Sequence, residues 1–232
     1  MTPICLWRRC STDMDIVLAS RNRKKIRELD GLLKSLCPDI TVRSLDDIGF
    51  SGDIEENGQS FAENALIKAS VPASLGYIGV ADDSGLCVDA LCGAPGIYSA
   101  RYSGLGDTEN NKKLLRELSG AEDRGAEFVC AVACVVPTSL GLCLPEGLCD
   151  KKYSDFASAR CGASAEAFVT VGRCRGEILT EERGTDGFGY DPLFWCHEYK
   201  KSFAQLSADE KDSVSHRGRA MRSFAKLISE IH

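Results

Sequence analysis

Two adjacent carboxylates, Asp82 and Asp83, follow an apolar run (Tyr77, Ile78, Val80) that reads as a buried strand. No other feature limits the fold so tightly, because a carboxylate taken into the interior must be met by a cation, by hydrogen bonds or by a proton. The stretch Ala81-Asp82-Asp83-Ser84-Gly85 therefore predicts a turn at the end of that strand. Successive side chains of an extended chain point to opposite faces, so one acid is expected to face a cleft and the other to support the loop through hydrogen bonds. Alone, the stretch also reads as a solvated turn. Its company changes that reading: Glu55 and Glu56 lie upstream in an acidic loop, a basic cluster occupies residues 21–27, and Gly187-Phe188-Gly189-Tyr190-Asp191-Pro192 follows downstream. Together these segments describe a metal and phosphate site.

Five cations fill seven positions in Arg21-Asn22-Arg23-Lys24-Lys25-Ile26-Arg27, where a helix begins. The helix dipole disfavours each cation there by about 0.3 to 1 kcal/mol, so the placement makes sense if an anion neutralises them. Backbone N–H groups at a strand-to-helix turn, reinforced by Lys or Arg, form a phosphate cradle. This is not a Walker loop, since G-x-x-x-x-G-K-[ST] is absent, and the alternative is a solvated basic patch. The net charge of −6 argues against a nucleic-acid partner, whose backbone asks for an extended positive surface.

Mg²⁺ takes one or two protein carboxylates and leaves its other positions to water and phosphate oxygens. Glu55, Glu56, Asp82 and Asp83 supply enough candidates. A metal with a carboxylate base offsets phosphate charge and makes water nucleophilic, which phosphoanhydride hydrolysis needs. Phe188 and Tyr190 can stack on a flat ring, with Asp191 accepting hydrogen bonds from it; the alternative is a pair of core aromatics in a glycine-rich turn. Ser215 is a candidate N-cap before a final helix, and His216 and Arg217 offer donors to a carbonyl oxygen, the alternative for Arg217 being an exposed helix charge.

Along the chain, residues 16–19 read as a short strand, and Ile26, Leu29, Leu32, Leu33 and Leu36 recur at helical spacing until Pro38. A strand over 40–43 leads into the acidic loop 46–58, and Ser60 with Glu63 forms a capping-box signature for a helix to about Leu75. Asp107 reads as the N-cap of a helix carrying Leu114, Leu115 and Leu118. Strand-rich runs cover 126–136 and 166–179, and between them residues 137–165 show no period and read as an extended hairpin or loop. Ser207 and Glu210 repeat the capping-box spacing, and Met221, Phe224, Leu227, Ile228 and Ile231 line one helix face.

With 232 residues, 44% hydrophobic and 27% charged, the chain suits a soluble globular protein. No stretch approaches the roughly 18 to 20 apolar residues of a membrane span, so no membrane partner is expected. Residues 1–13 lack the apolar core of a signal peptide and read as an N-terminal extension, with Met14 an alternative start. The 12 cysteines form no C-x-x-C pair and no zinc-like pairing with the three histidines, and they read as reduced, structural thiols in a cytoplasm. Cys130 and Cys134 are expected to share a strand face.

Residues 16–29 (IVLASRNRKKIREL), 60–69 (SFAENALIKA), 81–104 (ADDSGLCVDALCGAPGIYSARYSG), 184–194 (GTDGFGYDPLF) and 201–221 (KSFAQLSADEKDSVSHRGRAM) resemble the inosine/xanthosine triphosphate pyrophosphatase family, the non-canonical purine NTP pyrophosphatases. The resemblance extends over nearly the whole chain from residue 15. It implies an α/β, two-lobed fold over residues 14–232 around a long mixed central sheet, with flanking helices and an interlobe cleft, and a cytoplasmic homodimer. It also implies Mg²⁺-dependent cleavage of ITP, dITP or XTP to the monophosphate and pyrophosphate. Carried over by motif, Asp83 is the catalytic carboxylate and a metal ligand, Glu56 with Glu55 beside it the second acidic ligand, and Ser84 a substrate contact. Ser20, Asn22 and Lys25, in the cluster with Arg21, Arg23 and Lys24, would hold the phosphates. Phe188, Gly189, Tyr190, Asp191, Lys201, His216 and Arg217 would hold base, sugar and phosphate. The chain departs from the usual T-G-N-x-x-K loop, with Ser20 for Thr and Arg21 for Gly. Donors from His216 and Arg217 suit the 6-oxo group of hypoxanthine or xanthine and oppose the 6-amino group of adenine. Two other functions stay open at this point: a purine nucleotide-binding regulator that does not hydrolyse, and a thiol-based metal or redox protein.

Overall fold

The computed structural model describes residues 14–21, 23–36, 40–142, 144–145 and 147–229; the extension expected over residues 1–13 lies outside them. The chain opens with β1 (Met14–Leu18), α1 (Arg23–Leu36) and β2 (Ile40–Ser44), and β2 lies parallel to β1 from Met14↔Ile40 to Leu18↔Ser44. Leu29 and Leu33, spaced one helical turn apart, press α1 onto Ile16 and Leu18. α2 (Phe61–Ser74) starts at Ser60, whose Oγ accepts from Glu63 N at 3.2 Å. Glu63 Oε2 accepts from Gln59 N at 2.8 Å, so the expected capping box closes one residue upstream of the cap.

The turn expected at residues 81–85 is not there. β3 (Ile78–Val88) runs straight through it, with Asp82 opposite Val132 and Asp83 opposite Ala131 on β4 (Gly125–Pro137). Pairing with β4 satisfies one edge of the backbone, and each acid finds a cation on its own face of the sheet, so the strand has no need to turn into water. β5 (Ala165–Ile178), β6 (Phe194–Cys196) and β7 (Lys201–Ser202) extend the sheet antiparallel. Among the described residues the sheet has seven strands in the order β2-β1-β3-β4-β5-β6-β7, parallel on the β1 side and antiparallel beyond β3. This is the mixed α/β architecture expected from the resemblance.

β3, β4 and β5 are long enough to pass through two lobes. In one lobe α1 and α6 (His216–Ile228) cover one face through Ile16, Val80, Val132, Phe168 and Phe224, while α2 and α4 (Lys151–Cys161) cover the other through Ala65, Ala69, Ala133 and Ala157. Cover on both faces explains the near-continuous apolar run of β4. Cys130 and Cys134 share a face and the same core, as their spacing requires. In the other lobe, α3 (Asp107–Glu117) and the short α5 (Ala208–Val214) enclose Leu86, Leu114, Phe128, Leu193 and Phe203.

Two further expectations are corrected. Gly106, at φ 93°, takes the N-cap position of α3, and Asp107 is the first helical residue, its carboxylate used elsewhere. Residues 137–165 contain α4, capped by Asp150 Oδ1 on Lys152 N (2.8 Å). Its inward side carries Tyr153, Phe156, Ala157 and Cys161 at helical spacing, a stripe confined to 11 residues and set among polar ones, which the sequence reading missed.

Close packing of α2 on β3 depends on Gly79, where a Cβ would lie 1.9 Å from Ala69 O. Gly79→Ala is expected to cost about 3 kcal/mol through overpacking, lowering Tm by roughly 6–12 °C. A thermal melt within about 1 °C of wild type, far below the shift such a cost implies, would show that α2 moves freely.

Candidate active site

β1 stops at Leu18, opposite Val80, and Ala19 N donates the last bond to that edge, to Val80 O at 2.7 Å. The next group seated on the same edge of β3 is Ser99 Oγ, which accepts from Leu86 N at 2.9 Å. Between them, among the described residues, no strand pairs with this edge of β3 over residues 82–84, which leaves a gap between the end of β1 and Ser99. It opens at the carboxyl end of β1, where ligands of α/β sheets commonly bind.

On the α2 face of this gap, Lys68 Nζ lies 3.0 Å from Glu56 Oε2 and 3.2 Å from Asp83 Oδ1. Asn64 Nδ2 donates to Asp83 Oδ2 at 3.1 Å. The Lys68 and Asp83 side chains are only 13% and 14% exposed. Burial raises the Asp83 carboxyl above its ordinary range, outweighing Lys68 and Asn64, with the Glu56 charge adding to the rise. Burial alone would lower the Lys68 ammonium, but the carboxylates of Asp83 and Glu56 win and hold it above its usual value. The result is a fixed ammonium beside a carboxylate of raised basicity, the pairing that suits proton abstraction from water next to a phosphate.

Among the described residues no three His, Cys, Asp or Glu side chains gather into a self-sufficient metal cluster. Two hard carboxylate oxygens converging from β3 and the 49–59 loop do fit Mg²⁺, which asks the protein for no more. Glu55, next to Glu56, is exposed.

The opposite face carries the other acid. Asp82, 5% exposed, lies 3.7 Å through Oδ2 from Arg217 Nε. Ser215 is extended between α5 and α6, and its Oγ accepts from Gly218 N at 3.0 Å, which places His216 and Arg217 in the first turn of α6. The His216 ring stacks on Phe128 with centroids 4.7 Å apart. Ser84, exposed on β3, alternates onto the same face as Asp82. Asp82 thus supports Arg217, where support of its own loop was expected.

In the basic turn, Ser20 is half-buried and Arg23 exposed. Arg21 turns toward the loop after β2, donating to Gly52 O at 2.8 Å and pairing with Asp46 at 3.4 Å. Asn22 and the side chains of Lys24 and Lys25 lie outside the described residues.

The two aromatics of the Gly187–Pro192 stretch part company. Tyr190 is core: it is buried and its hydroxyl donates to Ser99 O at 2.9 Å. Phe188 is 72% exposed, with Lys211 Nζ 5.1 Å from its ring centroid. Asp191 is buried, and its Oδ2 accepts from Phe188 N (2.9 Å) and Lys211 Nζ (2.5 Å). Gly187 has φ 85°, and a Cβ there would meet Asp191 Oδ2 at 2.1 Å, so only glycine fits. Lys201 pairs with Glu210 at 3.2 Å.

Lys68, Asn64 and Lys211 carry no role in the sequence reading. A signal for the first two exists: polar Asn64 and Lys68 stand one helical turn apart, in line with the Ser60 cap, Asn64 bordering and Lys68 interrupting the apolar run 65–69 of α2. Cys87, Cys92, Cys130, Cys134, Cys149, Cys161, Cys174 and Cys196 are free thiols, and burial pushes Cys87, Cys134 and Cys161 up, away from reactive thiolates. A polar recess of about 350 Å³, lined by Glu122, Asp123, Arg124, Arg175, Glu177 and His197, contains none of the site residues.

The chain matches known proteins in sequence and in fold. A family model described as the Ham1 family matches residues 16–227. A dITP/XTP pyrophosphatase of Desulfotalea psychrophila is 46% identical over 219 residues, covering 93% of this chain and 86% of that protein. The Ham1 protein of Staphylococcus aureus superposes with a TM-score of 0.76 at 35% identity, over 92% of this chain and 97% of that one. A nucleoside-triphosphatase / dITP/XTP pyrophosphatase of Mycobacterium abscessus gives 0.68 at 39% identity, over 91% and 98%.

Proposed function

Because this chain belongs to the Ham1 family, we propose that it hydrolyses the non-canonical purine nucleoside triphosphates ITP, dITP and XTP to the monophosphate and pyrophosphate, clearing them from the nucleotide pool. The observation that carries this reading is the Glu56–Lys68–Asp83 cluster beside the gap along the edge of β3. Water adds to phosphorus, the bond to the bridging oxygen between the α and β phosphorus atoms breaks, and Asp83 takes the proton of the water. The Lys68 ammonium offsets charge gathering on the phosphate oxygens. Glu56 and Asp83, with Glu55 adjacent, would hold Mg²⁺, which when bound neutralises phosphate charge and acidifies a ligated water.

Ser20, Asn22 and Lys25, with Arg21, Arg23 and Lys24, are assigned to the phosphates, and Ser84 to a contact in the gap. Phe188 offers a face to the purine, backed by the Gly189–Asp191 turn, and His216 and Arg217 offer donors to its 6-oxo group. Lys201 is assigned to the substrate's polar end. Each donor left unpaired by a 6-amino group costs about 1–3 kcal/mol, so kcat/KM for ITP is expected to exceed that for ATP by roughly 10²-fold or more. Pyrophosphate release from ITP, XTP, GTP, ATP and dTTP tests this. Chelating Mg²⁺ with EDTA should remove turnover, and adding it back should restore it. Tight ITP binding without pyrophosphate release would instead make the chain a nucleotide-binding regulator.

The same reading gives a homodimer in the cytoplasm. Among the described residues no helix is long and apolar enough to cross a membrane. Light scattering should return twice the 25.1 kDa chain mass.

A further inference from the structure

We propose that Asp107 and Asn111 on α3 are positioning residues that clamp the substrate loop and hold Phe188 ready for the purine; this rests on the pyrophosphatase reading above. Residues 180–188 are exposed throughout, a stretch that would wander without ties. Both backbone polar groups of Gly189, the residue after Phe188, are held by α3. Its N–H donates to Asp107 Oδ2 at 2.9 Å, and its carbonyl accepts from Asn111 Nδ2 at 3.2 Å. Residues four apart on a helix share a face, so one side of α3 grips the backbone of one residue from both sides.

Asn111 also reaches the start of the loop, donating to Glu182 Oε1 at 2.8 Å. One buried amide therefore ties residues 182 and 189 together. Its Oδ1 is buried with no hydrogen-bond partner among the described groups, a cost accepted where the donor side of the amide fixes its position. From the other flank, Asp191 holds Phe188 N and Lys211 sits over the ring. The backbone around Phe188 is thus pinned on both sides while its ring stays in solvent. A fold seeking only stability would bury that ring; a fixed, open ring is a prepaid stacking surface.

The test compares ITP with inorganic tripolyphosphate, which has phosphates but no base. In Asp107→Ala, KM for ITP is expected to rise roughly 5- to 20-fold, the loss of about one hydrogen bond and some loop order, with kcat within about twofold. The Ki of tripolyphosphate should stay within about twofold, because its phosphates do not touch the loop. Asp107→Asn, which keeps an acceptor oxygen, should restore KM. In a Phe188→Ala background, Asp107→Ala should move KM no further, as expected for residues acting through one ring. Asn111→Leu should repeat the pattern; Asp107 is exposed, so its variants carry the test if that buried replacement fails to fold. An unchanged KM, an equal rise in the Ki of tripolyphosphate, a loss confined to kcat, or full additivity with Phe188→Ala would each overturn the clamp. If wild-type protein binds ITP but releases no pyrophosphate, the catalytic reading fails by itself, and calorimetric Kd values for the same variants still decide the clamp.

Discussion

Asp83→Asn is expected to lower kcat for ITP by roughly 10²- to 10⁴-fold, the range for loss of a general base, and to weaken Mg²⁺ binding as well. The replacement has nearly the same shape, and its oxygen can still accept from Asn64, so the strand pairing around residue 83 should survive. A circular dichroism spectrum and melt like wild type would confirm that the fold is intact, and pyrophosphate release gives the rate. Near-normal turnover with an intact fold would take the catalytic role away from Asp83. The raised carboxyl range of Asp83 fits this role, since burial has made its oxygen a better proton acceptor than a surface aspartate.

Lys68→Met should produce the second large effect, a loss of kcat of roughly 10²- to 10³-fold, the scale for removing one preorganised charge from a transition state. Methionine keeps the length of the stem but leaves Glu56 and Asp83 facing each other without the ammonium between them. Removing one partner from a buried ionic group costs about 3 kcal/mol or more, and Tm in EDTA should fall by roughly 6–12 °C. Because a divalent cation can replace the missing charge, added Mg²⁺ should recover part of the lost Tm and raise it more in the variant than in wild type. The sign follows from charge: with Lys68 gone, the two carboxylates repel, and whichever cation enters relieves them. An unchanged Tm and rate would mean that Lys68 is an ordinary surface lysine, against its 13% exposure.

Much of the architecture was legible in the chain. The strand–helix–strand opening, the Ser60 and Ser207 caps, and the Ser215 cap that starts α6 are local devices, written in residue types at short spacing. Helix α4 was not, because its apolar stripe of Tyr153, Phe156, Ala157 and Cys161 is short and set among polar residues. The acidic pair was legible as chemistry and wrong as geometry. Charge suggested a turn, but cations from α2 and α6 let β3 carry both acids straight through the sheet. Phe188 and Tyr190 look alike in sequence, and only burial separates an exposed ring from a core one.

By itself the sequence determined which side chains were available: two acids after a strand, a cationic turn, a glycine-bounded aromatic, and a Ser-His-Arg helix start. Tertiary structure decided who meets whom. Alternation along β3 sends Asp82 and Asp83 to opposite faces, and only the packing of α2 on one face and α6 on the other gives Asp83 to Lys68 and Asp82 to Arg217. Ion pairs between elements far apart in the chain depend on how the helices dock, and docking depends on the whole core, which no short spacing records.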